Sequence, residues 1–145
     1  MSAPSFKLLN NGWNADPNAP APSIEVLSQD LLLRFRLNAF QFPRFFEGDL
    51  GIIRFRECSH YRLGETNDEG WYLGQCRYSK VAPVWGEFFE IVGPDNLTWR
   101  PEDWIKLGAN SNGRHYLFYL RDDTFECFAA DWAIEPVSDN ALFTR

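Results

Sequence analysis

Apolar and polar positions alternate with period two over much of the chain. In Leu31-Leu32-Leu33-Arg34-Phe35-Arg36-Leu37, positions 31, 33, 35 and 37 are apolar while Arg34 and Arg36 fall between them. Successive strand side chains point to opposite faces, so this pattern predicts a strand with one face in water. Ile53 and Phe55 alternate with Arg54 and Arg56 in the same way, after a Gly48-Asp49 turn signal. Two strands are thus expected to carry outward arginine pairs. Further strands are expected at Trp71 to Tyr78, Glu87 to Val92, His115 to Arg121, and Thr124 to Ala129, the last continuing to Ile134. Clusters of Gly, Asn and Asp separate them, and Asp122-Asp123 reads as a two-residue hairpin turn.

Helical signals are sparse. Pro101 followed by Glu102 and Asp103 and closed by Gly108 predicts one short helix near residues 99–107. Residues 1–22 are rich in Pro and Asn and read as an N-terminal arm or ordered loop, which Trp13 pins by docking on the body. Residues 23–145 read as a single β domain. The expected fold is all-β and mainly antiparallel, a sandwich or partly open barrel of about 7–8 strands.

Composition narrows this further. The 145 residues are 45% apolar and 23% charged, the balance of a globular chain able to build its own core, and 17% are aromatic. The N-terminus has no basic flank followed by an apolar run, so a cytoplasmic location is expected. No stretch reaches the roughly 18 apolar residues of a membrane-spanning helix. Three cysteines, Cys58, Cys76 and Cys127, have no short-spaced partner. They read as buried thiols rather than a disulfide framework or a metal site.

Candidate chemistry is thin. His60 follows Ser59, but neighbours on a strand point to opposite faces and cannot meet unless the strand has ended. Glu87 and Glu90, or Glu126 and Asp131, could be paired carboxylates near Trp85 and Trp132; the spacing of Glu87 and Glu90 puts them on opposite faces of a strand. No phosphate-cradling glycine motif occurs, and no cofactor or metal is expected. Arg34, Arg36, Arg54 and Arg56 beside Phe40, Phe42, Phe45 and Phe46 would suit a single-stranded nucleic acid, but a net charge of −6 opposes that, and cross-strand pairing with acids is the plainer account.

The charge is unevenly placed. Residues 1–60 hold six basic and six acidic side chains, whereas residues 61–145 hold eight basic against fourteen acidic ones, so the whole surplus lies there. Acids stand next to aromatic residues at Asp68, Glu69, Trp85, Glu87, Glu90, Asp122, Asp123 and Glu126. An acidic rim around aromatic anchors suits a basic protein partner. In size and charge the chain resembles the immunity proteins that bacteria make against toxins, which implies a non-catalytic inhibitor that occludes a basic site. The competing expectations are a small-ligand barrel or small enzyme with a pocket lined by Trp71, Trp85 and Tyr119, and a homodimer formed through sheet edges.

Overall fold

The alternating segments become strands whose apolar residues share one interior. A computed structural model describes residues 5–65, 87–93, 104–108, 113–120 and 123–137. Among these, ten strands form two antiparallel sheets: β1 (Ser5–Leu8), β2 (Ser23–Leu27), β3 (Asp30–Arg36), β4 (Leu50–Arg56), β5 (His60–Glu65), β6 (Phe88–Val92), β7 (Ile105–Lys106), β8 (Arg114–Tyr119), β9 (Asp123–Ala129) and β10 (Asp131–Val137). The six-stranded sheet runs β1-β6-β8-β9-β5-β7 and the four-stranded sheet β10-β4-β3-β2. The protein is an all-β sandwich, with no helix among the described residues.

The four-stranded sheet follows its pattern directly. Leu31, Leu33 and Phe35 of β3 and Ile53 and Phe55 of β4 are fully buried, while Arg36, Arg54 and Arg56 are exposed. Gly51 is matched to Phe35 across the ladder, and a Cβ there would lie 2.8 Å from the Phe35 ring. Only glycine leaves room for that ring. From the other sheet Phe88, Tyr116, Phe118, Phe125 and Cys127 meet this face. Trp13 enters from the N-terminal segment and packs 5.7 Å from Phe35 and 6.1 Å from Phe118, so one ring touches both sheets. Each such buried ring contributes about 1.5–3 kcal/mol relative to exposure.

A bent two-stranded ribbon joins the sheets. β4 and β10 pair in the four-stranded sheet, and their continuations β5 and β9 pair in the six-stranded one. Between the paired residues Arg56–Asp131 and His60–Phe128, Glu57, Cys58 and Ser59 on one side oppose Ala129 and Ala130 on the other. The extra residue makes a β-bulge, and Glu57 takes it up with φ of 51°. Bulges and bends are how strands turn the corner from one sheet to another.

Three expectations are corrected. The stretch from Thr124 to Ile134 is two strands, because the chain changes sheets at Ala130, whose N–H donates to Arg56 O at 2.8 Å. The predicted helix is not found where it is described: Ile105 and Lys106 form β7, paired with Tyr61 and His60, while residues 99–103 lie outside the described residues. The β8–β9 turn sits one residue earlier than Asp122-Asp123. Tyr119 pairs with Thr124, Leu120 N–H donates to Asp123 O at 2.8 Å, and Asp123 already belongs to β9.

Candidate binding surface

The six-stranded sheet is buried on both faces. Away from the sandwich interior, Phe89, Ile91, Leu117 and Tyr119 form a second apolar cluster with Phe6. Beside it lies a charged group. Arg62 of β5 is directly opposite Glu126 of β9, and His115 of β8 is one diagonal step away. Glu126 is 0% exposed; its Oε2 accepts from Arg62 Nη1 at 3.0 Å and its Oε1 pairs with His115 Nε2 at 2.8 Å. The His115 ring stacks on Phe128 with centroids 4.5 Å apart, and the Arg62 guanidinium lies 6.0 Å from the Trp104 ring. A buried carboxylate is tolerable only when its lone pairs are met, and here both oxygens are. The group ties three strands together.

Ser59 and His60 do meet, because β5 begins only at His60. Ser59 Oγ and His60 Nδ1 are 3.0 Å apart. Burial, with the charge of Lys106, holds the His60 pKa below its usual value. Yet Ser59 is only 2% exposed, so a substrate carbonyl has no approach to the hydroxyl. Among the described residues no group of three or more His, Cys, Asp or Glu side chains is placed to hold a metal, and no helix is long and apolar enough to cross a membrane.

The expected acidic rim is dispersed. Asp68, Glu69, Trp85 and Asp122 lie outside the described residues, as does Trp71. Glu87 is half-buried and accepts from Asn10 Nδ2. Glu90 is half-buried in mid-strand beside Tyr116, whose pKa is pushed up to about 12 by burial first and by Glu90 second. Asp123 is half-buried at the start of β9. Glu126 is interior, which removes it from any exposed rim: its position in an alternating strand faces a second buried layer and not solvent. The arginine face is neutralised as cross-strand pairing predicts, with Arg34–Glu25 at 3.2 Å, Arg54–Asp30 at 2.6 Å and a close Arg56–Asp131 pair.

The exposed feature that remains is the loop from Asn38 to Asp49, between β3 and β4. Its four phenylalanines divide. Phe45 is buried and Phe42 half-buried against the core, edge-to-face at 6.5 Å, whereas Phe40 and Phe46 are 67% and 77% exposed. The loop is nonetheless fastened throughout. Asn38 Oδ1 accepts from the N–H groups of Phe40 and Gln41 at 3.1 Å each, and Asp49 Oδ2 accepts from Phe46 N–H at 2.9 Å. Gln41 Oε1 accepts from Asn14 Nδ2 at 3.0 Å. Arg44 donates to Gly12 O at 2.9 Å while its guanidinium covers Phe45 at 4.5 Å. Reading the four rings together as a stacking platform missed this division. The clue in the sequence is a single loop carrying more rings than the core beneath it can take. Compared with protein-family models, with curated proteins and with solved structures, the chain matches none.

Proposed function

We propose that the protein is a non-catalytic protein-binding domain that docks through the β3–β4 loop, with Phe40 and Phe46 as its anchors and a basic protein as its partner. The observation that carries this reading is the combination of two nearly naked rings with a backbone held at both ends and in the middle. Scattered exposed apolar residues are ordinary on a surface; a pinned pair on one short loop is not. Aromatic side chains are frequent binding hot spots, and a loop already fixed in one conformation loses little entropy on binding. Arginines that might otherwise recruit an anionic partner are engaged in ion pairs, and the net charge of −6 favours encounter with a basic one. An inhibitor of the immunity type fits that chemistry.

Site-specific photo-cross-linking in an extract of the producing cells tests it. A photoreactive phenylalanine analogue at position 40 or 46 is expected to capture the same basic protein from both positions, and to capture less as salt rises to about 0.5 M. The analogue at exposed Ala133, on the outer face of the four-stranded sheet, is the control. Equal capture from Ala133, or none from the loop, contradicts the reading. Capture of a second copy of the chain replaces it with self-association.

A further inference from the structure

The sheet corner holds two thiols that none of the foregoing uses. Cys58 stands in the bulge between β4 and β5, and Cys127 lies on β9, the strand that runs beside β5. Both belong to the core cluster between the sheets, and neither is in a disulfide. The Cys58 thiol donates to His60 O at 3.4 Å, which leaves its sulfur free to accept from the Cys127 thiol, and the two side chains are hydrogen-bonded. A straight strand would carry Cys58 away from Cys127, because Cys127 is paired with Tyr61, further along β5. The bulge at Glu57 and the bend at Ala130 fold the chain back and bring the sulfurs together.

We infer that Cys58 and Cys127 form a modification site: a thiol pair that a small-molecule disulfide oxidises to an intramolecular cross-link across the corner between the sheets. The exchange balances in two steps. Cys58, as the thiolate, attacks one sulfur of the small disulfide; that S–S bond breaks and one small thiolate leaves. Cys127 then gives up its proton and attacks the Cys58 sulfur, expelling the second small thiolate as the protein disulfide forms. Two electrons pass to the small disulfide, and the protons from both cysteines end on its two thiol products. Cys58 acts first because the Cys127 thiol is held well above its usual pKa, by burial and then by its bond to Cys58. Both sulfurs are buried, so the rate is set by how often the corner opens.

The wild-type chain suffices for the test. Folded protein is incubated with millimolar glutathione disulfide, quenched in acid, unfolded, alkylated and digested with trypsin. The three cysteines fall in separate fragments, because Arg56, Arg62, Arg77 and Arg121 lie between or beside them. The expected product joins residues 57–62 to residues 122–145 and lacks two hydrogens, with Cys76 still alkylated. It is reversed by dithiothreitol, and its ratio to the glutathione adduct is at least about tenfold higher than for protein oxidised in urea, where only loop closure brings the sulfurs together. A stable glutathione adduct on Cys58 beside an alkylated Cys127 overturns the inference. So does a cross-link through Cys76, a ratio no higher than in urea, or no reaction after long incubation just below the melting temperature.

Discussion

One face of the four-stranded sheet meets water, whereas both faces of the six-stranded sheet are buried. On the wet face Arg34, Arg54 and Arg56 pair with Glu25, Asp30 and Asp131 in solvent, where ion pairs contribute little and charges can be exchanged cheaply. Polar groups in the six-stranded sheet have no such freedom. Glu126 is fully enclosed and must be met by Arg62 and His115, so three strands are committed to one arrangement. The same residue types therefore do different work: tolerance on one sheet, registration on the other. The docking loop springs from the tolerant sheet, where β3 and β4 can carry it without disturbing the enclosed group.

The largest expected effect comes from the enclosed carboxylate. Glu126→Ala leaves Arg62 and His115 without their anionic partner, and breaking a buried pair this way costs about 3–5 kcal/mol. Urea unfolding should show the midpoint falling sharply or the cooperative transition lost. Arg54→Ala combined with Arg56→Ala on the wet face should leave the melting temperature nearly unchanged. Equal losses from the two would abolish the contrast between the sheets.

Legibility in the sequence divides along the same line. Leu31, Leu33, Phe35, Ile53 and Phe55 could be assigned to the core because their neighbours on the other face are charged. Glu126 sits among Phe125, Cys127 and Phe128 in a run that reads like another half-wet strand, since alternation cannot tell a wet face from a second buried face that contains a charge network. The corner at Ala130 was equally hidden, because a change of sheet alters partners and not local pattern. Ile105 and Lys106 are a strand only through their pairing with Tyr61 and His60, and that contact outweighs the helical signal of the preceding Pro and acids. Trp13 could be read as an anchor, while the outward turn of Phe40 and Phe46 depends on how much space Phe42 and Phe45 already fill.

A smaller effect separates the sheets by pH. The pKa of His60, beside β9, is lowered by burial and by Lys106. The unfolded chain therefore takes up that proton first, near pH 6.5, and stability declines as pH falls from there through the folded-state value. Asp30 is held low by the Glu57 N–H and then by Arg54, and Asp131 by Arg56. Their contributions are complete above the ordinary carboxylate value of about 3.9 and are lost as pH falls through their folded-state values. Unfolding midpoints should thus show a shallow decline below about pH 6.5 that His60→Gln flattens, and a second one below about pH 4 that Asp30→Asn reduces. A decline beginning at pH 6.5 that His60→Gln leaves intact would assign that limb to another group.

The binding assignment is tested most directly by calorimetry of the photo-captured partner against Phe40→Ser/Phe46→Ser, with the melting temperature measured in parallel. The two exposed rings contribute nothing to the core, so the melting temperature should hold. Loss of two aromatic anchors should weaken binding at least about a hundredfold, or roughly 2.7 kcal/mol. An unchanged affinity with intact folding would contradict the assignment of this loop as the docking site.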